Sequence, residues 1–320
     1  MLPAYGVKKK MKMREKLIEI YYYVKPVIPR SLQVHLRRLY VSRRRTKYSN
    51  LWPIDERAGK FPEGWCGWPN EKRFALVLLH DVDTAKGRDR CYELIDLEES
   101  KGFRSSFNFV PARYETSPEI RHNLVQRGFG VGVHGFKHDG RLFLSRKGFR
   151  EQALRINNYL KEWQSKGFVS PSMICKLDWL HELAIEYDTS SFDTDPFEPR
   201  PEGTGTIFPF WQEDGNSRKG FVELPYTLPQ DFTLFVLMKE KNIEIWKKKL
   251  DWIVEKGGMA LLISHPDYMD HKNGSGGIEE YPVRFYEEFL EHVRRKYDGQ
   301  YWHPLPEEMA RFWKEKMVSP

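Results

Sequence analysis

The sequence lacks an apolar run of the about 18 residues that would be needed to cross a bilayer. Its Lys-rich N-terminus also lacks the continuous apolar stretch and small-residue cleavage site of a secretory signal. Only three cysteines are present, and Cys66, Cys91 and Cys175 form no CxxC pair. They are therefore predicted to be reduced thiols rather than a disulfide framework. We expect a cytoplasmic protein, with a peripheral position at the inner membrane face as an open alternative.

Acidic residues are scarce in the first 50 residues, which hold 14 Lys and Arg but 2 Asp and Glu. The net charge of +7 thus divides into +12 on this arm and −5 on the remainder. A solvated basic face would explain the arm, and so would attraction to anionic lipid, at about 1 kcal/mol per cation near the surface. The apolar stretch Ile18–Val24, flanked by basic residues, would suit an interfacial helix. Nucleic acid is disfavoured because no nucleic-acid-binding motif accompanies the charge.

Composition divides the chain into a basic arm predicted to be helical (1–50), a Pro/Gly/Trp-rich connector (51–73) and an α/β region (74–320). In the α/β region, apolar runs that predict strands alternate with amphipathic helical stripes. This alternation predicts parallel βαβ units, and their number favours a barrel or a large open sheet. The strand candidates are 74–79, 104–110, 129–134 and 259–264, and the helical stripes are Phe149, Ala153, Ile156, Leu160 and Trp163, then Phe285, Phe289 and Val293.

The first chemical signal follows the first buried strand, where the sequence reads HDVDT from His80. Ionisable side chains at the end of a buried strand are costly unless they are paired or bind a metal. Alternate residues of an extended backbone point to one side, so Asp81 and Asp83 are expected to share a face. The structural alternative is that one Asp caps the next helix while the other pairs with an Arg.

The second signal is the sequence HGFKH, which begins at His134. The glycines before it argue against a long helix, so we expect His134 to end a strand and His138 to follow in its loop or in a short helical turn. An HxxxH pattern also arises by chance. Combined with a carboxylate from the preceding motif, the two imidazoles would leave one coordination position open, which is typical of a catalytic zinc site.

A third strand end carries His265, in the sequence LLISHP. In isolation, a core histidine with satisfied hydrogen bonds would explain it. Three separate strand ends that each deliver His or Asp are difficult to explain by packing, and parallel strands of a barrel collect such residues at one end. Together these residues predict a single site.

HDVD, HGFKH and LLISHP resemble, in this order, the motifs of the polysaccharide deacetylase (NodB-homology) superfamily, carbohydrate esterase family four. The resemblance covers roughly residues 74–270, and it points to a DVD-variant branch because the first motif of the family usually reads TFDDG. It implies a distorted (β/α) barrel of about seven strands that holds one divalent metal, with zinc as the expected ion. By motif position it implies that Asp81 is the catalytic base and His265 the catalytic acid. It also implies that the metal ligands are Asp83, His134 and His138.

One position departs from the family pattern. The third motif normally offers an Arg that orients the base, and Val169 stands where that Arg is expected. Two explanations are open: Lys176 or another cation substitutes for the Arg, or the base is poorly activated. The region of the fourth motif offers Asp193 or Asp195 as a partner that orients His265, although both could be turn residues. His80 is left as an additional ligand or as a partner of a metal-bound group.

The function that the resemblance implies is hydrolysis of an N-acetyl group, in preference to an O-acetyl group, on a carbohydrate or glycan precursor. Asp81 would take a proton from a metal-activated water, and His265 would protonate the departing amine. Two alternatives remain open. One is deacetylation or deformylation of a lipid-linked sugar at the membrane surface, with the basic arm docked there. The other is a barrel that binds carbohydrate without turnover, which the Val169 departure would favour.

Overall fold

The computed structural model of the chain describes residues 16, 20–198, 203–215, 219–272 and 276–318. Most of the first 19 residues, and with them the beginning of the predicted interfacial stretch, lie outside the described residues. The predicted division into arm, connector and α/β region stays a prediction.

A largely parallel sheet forms the centre of the protein. The strands are β1 (Phe74–Val82), β2 (Ser106–Phe109), β3 (Gly130–His134), β4 (Gly167–Val169), β5 (Tyr187–Asp188), β6 (Phe210–Glu213), β7 (Gly220–Glu223), β8 (Met259–Ser264) and β11 (Tyr301–Trp302), with β9 (Met269–Asp270) and β10 (Tyr281–Pro282) as a separate parallel pair. In space the strands of the large sheet follow the order β11-β1-β2-β3-β4-β5-β7-β6, and β8 pairs with the other edge of β1. Among the described residues, only the β6–β7 pair is antiparallel.

The sheet closes on itself through the short segment that follows β7. The backbone N–H groups of Thr227 and Leu228 both donate to the carbonyl of Leu261 in β8, at 3.1 Å each. Because β8 also pairs with β1, the ring β1-β2-β3-β4-β5-β7-β8 is complete. The prediction of a distorted (β/α) barrel of about seven strands is therefore confirmed.

Strand β1 pairs with three other strands, and its sequence is that of a fully buried strand. All nine of its residues are buried, because β8 lies along one edge, β2 and β11 share the other, and helices cover the outside. A continuous apolar run is typical of a parallel strand buried on both faces. The strand continues past the predicted apolar run to Val82, which carries His80 and Asp81 into the sheet.

Most of the helices lie between consecutive strands, as βαβ units require, whereas the first precedes β1 and the last follows β11. The helices are α1 (Arg30–Lys47), α2 (Ala85–Asp89), α3 (Cys91–Ser100), α4 (Pro118–Gln126), α5 (Arg146–Glu162), α6 (Leu177–Leu180), α7 (Glu244–Glu255), α8 (Arg284–Tyr297) and α9 (Pro306–Trp313), and a π-helix spans Phe232–Leu237. In α5 the side chains of Phe149, Ala153, Ile156 and Leu160 are buried, as their spacing predicts, and in α8 those of Phe285, Phe289 and Val293 are buried too.

An aromatic cluster covers the end of the barrel at which β1 and β8 begin. The indole N–H of Trp68 donates to the carbonyl of Gly257 at 2.8 Å, just before β8. Trp65 stacks on Trp313 of α9, with ring centroids 5.4 Å apart. The connector and the C-terminal helix thus pack together at the end opposite the carboxyl ends of the strands.

The arm packs at the other end, through helix α1. Val34 and Val41 are buried on its inner face. Three arginines spread along this helix bind residues that are distant in sequence. Arg30 pairs with Glu279 at 2.5 Å, and Arg45 pairs with Glu240 at 2.5 Å. Nε of Arg38 donates to the carbonyl of Val236 at 2.9 Å. The arm is therefore in contact with the barrel beside the carboxyl ends of its strands, where a (β/α) barrel carries its chemistry.

Candidate active site

A cleft of about 910 Å³ opens at the carboxyl ends of the strands. One wall belongs to the barrel and includes Asp81, Asp83, His134, His138 and His265. The opposite wall belongs to the arm, from Tyr22 to Arg37. The three strand-end motifs therefore meet in one place, and the arm forms the second wall of that place.

Asp83, His134 and His138 form the innermost group. Asp83 directly follows β1, His134 is the last residue of β3, and His138 lies four residues later, with a left-handed φ of 54°. The Nε2 atoms of His138 and His134 lie 2.9 Å and 3.3 Å from Oδ1 of Asp83. One ligand atom from each residue lies within 4.8 Å of the other two. A non-glycine residue with such a φ is strained, and strain of this kind concentrates at functional sites.

The hydrogen bonds of this group suit a cation. Nδ1 of His134 lies 3.2 Å from the carbonyl of Val169, so a proton on Nδ1 would leave Nε2 free to bind a cation beside Asp83. Burial alone would lower the pKa of His134, but the charges of Asp81 and Asp83 raise it, and a bound cation would offset those charges. Burial lowers the pKa of His138, which favours its neutral form. Burial would raise the pKa of Asp83, but His138 and His134 hold it well below its usual range. Oδ1 of Asp83 is buried without an accepted hydrogen bond from the described residues, and these donors fit a divalent metal ion.

Two residues hold the second oxygen and the backbone of Asp83. The hydroxyl of Tyr268 donates to Oδ2 of Asp83 at 3.2 Å. The backbone N–H of Asp83 donates to the carboxylate of Asp267 at 2.8 Å, and the Thr84 hydroxyl donates to the same carboxylate. Oδ1 of Asp83 is therefore oriented toward the two histidines by contacts made on its other side.

Asp81 lies beside this group and has a partner of its own. Its Oδ1 accepts a hydrogen bond from Nδ2 of Asn108 at 2.8 Å, and its Oδ2 lies 3.9 Å from Nδ1 of His134. Asn108 comes from β2, the neighbouring strand, and Gly132 of β3 leaves room for it because a Cβ there would collide with the Asn108 amide. Asn108 was not among the predicted site residues. The signal that could have found it is a polar residue inside the predicted strand that follows the HDVD motif.

Val169, which stands where the family has an Arg, does not contact Asp81 with its side chain. The Val169 side chain is buried, and only its carbonyl reaches the site, through His134. Lys176 lies over the ring of Trp179, 4.3 Å from its centroid, and does not line the cleft. The prediction that Lys176 substitutes for the Arg is therefore wrong, because the amide of Asn108 contacts Asp81 instead.

His265 follows β8 and is held by Asp231. Nδ1 of His265 lies 2.7 Å from Oδ1 of Asp231, and the His265 backbone N–H donates to Oδ2 at 2.8 Å. The Tyr281 hydroxyl donates to the same Oδ2 at 3.0 Å. Burial lowers the pKa of His265, but the charge and hydrogen bond of Asp231 outweigh it and raise the pKa to about 10. At neutral pH this imidazole therefore carries a proton that it can donate.

The expectation that Asp193 or Asp195 orients His265 is wrong, because both carboxylates have other partners. Asp193 forms a buried ion pair with Lys249 at 2.5 Å. Asp195 accepts from the hydroxyl of Tyr226 at 2.9 Å. Asp231 was missed because it follows a segment that enters the sheet through isolated bridges, without the apolar run that would predict a strand.

His80 does not reach the cleft. Its Nδ1 and Nε2 lie 2.9 Å from the Ser264 hydroxyl and from Glu98, respectively, and the ring is fully buried. The reason is the alternation of β1, which turns His80 to the face opposite that of Asp81. His80 is therefore neither an additional ligand nor a partner of one, and it joins β1, β8 and α3 behind the site.

Comparison with known proteins gives the fold. No protein-family model matches the chain, and no curated protein matches its sequence. Many solved structures are similar to it, including the following three. A protein assigned as a polysaccharide deacetylase from Mycobacterium smegmatis is 17% identical, with a TM-score of 0.61, and the match covers 81% of this chain and 96% of that one. A protein from Pseudomonas aeruginosa PAO1 that is also assigned as a polysaccharide deacetylase is 16% identical, with a TM-score of 0.61, and the match covers 83% of this chain and 99% of that one.

The third structure, Puue allantoinase, is 15% identical, with a TM-score of 0.63 and 84% and 99% covered. At these identities the similarity shows a NodB-like barrel, and two differently named enzymes share it. A fold that hosts several activities does not by itself give the substrate, which has to be argued from the site. Among the described residues, no helix is long and apolar enough to cross a membrane.

Proposed function

We propose that this NodB-like barrel is a metal-dependent deacetylase that removes an N-acetyl group, in preference to an O-acetyl group, from a carbohydrate or glycan precursor. The observation that carries the proposal is the arrangement around Asp83. Its orphaned oxygen faces two imidazoles, and a carboxylate and a protonated imidazole lie in the same cleft. The named activity of the two deacetylase-assigned neighbours agrees with it.

Asp83, His134 and His138 would hold the metal, with zinc as the expected ion. When bound, such an ion polarises an acyl carbonyl and lowers the pKa of water. Asp81 is placed to accept the proton of the attacking water, because the Asn108 amide holds one of its oxygens and leaves the other open. His265 is placed to protonate the departing amine, since Asp231 keeps its imidazole charged.

Metal content and acetate release test the proposal directly. Purified protein should contain about one equivalent of a divalent ion and should release acetate from N-acetylated oligosaccharides. Asp83→Ala and His134→Ala should lose both. Asp89→Ala and His122→Ala are matched controls, because both residues are exposed and neither lines the cleft. A stable metal-free protein would refute the metal site, and a metal-loaded protein without turnover on any acetylated glycan would support the binding barrel instead.

A membrane-surface substrate, such as a lipid-linked sugar that is deacetylated or deformylated there, is favoured by the outer face of α1. The side chains of Leu32, Leu36, Leu39 and Tyr40 are exposed. They recur at spacings of three and four, on the side opposite the buried Val34 and Val41. Exposed Arg43 follows Leu39 by one turn, and the guanidinium of Arg44 lies 5.1 Å from the ring centroid of Tyr40. An apolar helical face with basic residues beside it suits the headgroup region of an anionic bilayer.

Vesicle binding tests that candidate. The full-length chain should bind vesicles that contain phosphatidylglycerol and release them as salt is raised, since exposed charges are screened. Leu36→Gln should weaken the binding. Val125→Gln is the matched control, because Val125 is exposed on α4, away from the arm. Equal binding by both variants would count against docking through α1.

A further inference from the structure

The arm wall of the cleft is cationic. It contributes Lys25, Arg30 and Arg37, and the loop after β2 adds Arg113 from the barrel side. These groups are close enough to repel one another. The pKa of Lys25 falls to about 8, first because burial disfavours its charge and then because Arg30, Arg37 and Arg113 oppose it. Like charges that converge in one cleft are unfavourable unless an anion joins them.

Most of these cations lack an acidic partner. Arg30 pairs with Glu279. For Lys25, Arg37 and Arg113, no carboxylate of the described residues lies within 4.0 Å of a cationic nitrogen. Lys25 and Arg37 lie over aromatic rings instead, with distances of 5.0 Å to the Tyr22 centroid and 4.8 Å to that of Phe232.

The carboxylates of the same cleft are already engaged. Asp267 accepts from the backbone of Asp83, and Asp81 accepts from Asn108. Glu198 accepts from the side-chain amide of Gln230 at 3.3 Å, and burial together with the charge of Asp195 raises its pKa to about 8. At neutral pH Glu198 is therefore mostly uncharged and does not balance Arg37.

A bound divalent ion would leave the cations still less balanced. Its two positive charges would offset Asp81 and Asp83, which are the acids nearest to it. Lys25, Arg37 and Arg113 would then face the cleft with three positive charges that no described carboxylate neutralises at contact distance. Helix α1 begins at Arg30 in the same wall, without an acidic residue in its first turn. The positive end of its dipole adds to this charge.

We propose that Lys25, Arg37 and Arg113 form an anion subsite for a phosphoryl group on the substrate, next to the Asp83–His134–His138 group. The proposal rests on the deacetylase function above and narrows its substrate class to phosphorylated or phosphoryl-linked N-acyl sugars. Guanidinium groups bind phosphoryl oxygens in a planar fork, and an ammonium adds a point charge. Three converging cations match the charge of a phosphoryl group better than that of a single carboxylate.

Calorimetric titration of the metal-loaded, full-length protein tests the subsite with two probes, N-acetylglucosamine and N-acetylglucosamine 1-phosphate. The phosphorylated sugar should bind at least tenfold more tightly. Arg37→Gln and Arg113→Gln should each reduce that preference about tenfold, as expected for one lost charge-assisted hydrogen bond. Arg43→Gln is the matched control, because Arg43 is an exposed arginine of α1 that does not line the cleft. Metal analysis of each variant should show unchanged loading.

Two outcomes overturn the subsite. In one, both sugars bind equally well. In the other, the phosphorylated sugar binds more tightly but the arginine variants keep the full preference, which would place the phosphoryl group on the metal alone. Acetate release measured on the same preparations separates this result from the proposed function. Equal binding of the two sugars, together with turnover of acetylated glycans, would keep the deacetylase and remove the subsite. A preference for the phosphorylated sugar that is lost in Arg37→Gln, without acetate release from any acetylated glycan, would keep the subsite and remove the deacetylase.

The phosphoryl group could belong to a soluble sugar phosphate or to a lipid carrier. Phosphatidylcholine vesicles with and without polyprenyl phosphate distinguish these sources. Displacement of N-acetylglucosamine 1-phosphate by the polyprenyl phosphate vesicles, and loss of that displacement in Arg37→Gln, would support the subsite with a lipid-linked source. Tight phosphosugar binding that such vesicles do not displace would support it with a soluble source.

Discussion

The two walls of the cleft are built in different ways. On the barrel wall, the reactive side chains end strands or directly follow them, and Asp81 and His134 are each 1% exposed. Each is held by a neighbour, such as Asn108 for Asp81. On the arm wall the cations are long side chains. Helix α1, which carries Arg30 and Arg37, is held to the rest of the protein by surface ion pairs.

This difference assigns different tasks to the two walls. Groups locked by strand packing and hydrogen bonds keep the geometry that chemistry requires. Long cations held by aromatic rings can adjust to a ligand, and they affect how tightly it binds. Substitutions on the barrel wall should therefore reduce kcat, whereas substitutions on the arm wall should raise KM.

The largest effect is expected for Asp81→Asn. Loss of the base should reduce kcat by about 10³-fold or more, within the range for a positioned general base. Metal content should stay near one equivalent, because Asp81 is not one of the three candidate ligands. Steady-state kinetics together with metal analysis checks this. Equal loss of metal and activity would instead make Asp81 a ligand.

Asp231→Asn should have the next largest effect and should change the pH profile. The pKa of His265 is raised to about 10, so its acid form is present below that pH and is lost as pH rises through it. Without the Asp231 charge the pKa should fall, and the alkaline limb of kcat should move to lower pH, with kcat down about 10²-fold. Profiles of the wild type and the variant, with Asp193→Asn for comparison, test this. An unmoved alkaline limb would contradict the role of Asp231.

A smaller effect is expected where the arm meets the barrel. Tyr22 is 4% exposed and packs on Gly140, where an added Cβ would collide with its ring. Gly140 also has a φ of 73°, which strains other residues. Tyr22→Ala should loosen this wall and raise KM several-fold while kcat changes little, because the barrel wall is untouched. Tyr23→Ala is the control, since Tyr23 is exposed. A fall in kcat alone would show that the two walls are not separable.

The smallest effect concerns the surface ion pairs of the arm. Arg45 and Glu240 lie 2.5 Å apart, with side chains that are 48% and 20% exposed. Exposed pairs contribute about 0–1 kcal/mol to folding free energy. Arg45→Gln should therefore lower the free energy of unfolding, measured by urea titration, by less than about 1 kcal/mol, and leave kcat and KM unchanged. A larger loss would mean that the arm is part of the stability of the core.

The sequence was informative wherever an apolar strand ended in a chemically active residue. β8 has the bounds that its apolar run predicts, and β1 and β3 differ from theirs by a few residues at most. Those strands bring Asp83, His134 and His265 together. Asp231 could not be found in this way, because it follows a segment with isolated bridges instead of a full strand. The position of the arm could not be predicted either, since charge alone does not show where a helix packs.

The closure of the barrel has a consequence for the order of assembly. β1 pairs with β8 and β11, whose residues follow it by 184 and 227 positions, and Arg30 pairs with Glu279 across 249 residues. Contacts between such distant residues have a large loop-closure cost and form slowly. During synthesis, β2 can pair with β1 early, but the edge of β1 that β8 covers stays unpaired until most of the chain has emerged. We expect chaperone dependence and slow refolding to trace to this strand, which also carries the carboxylate of the candidate base.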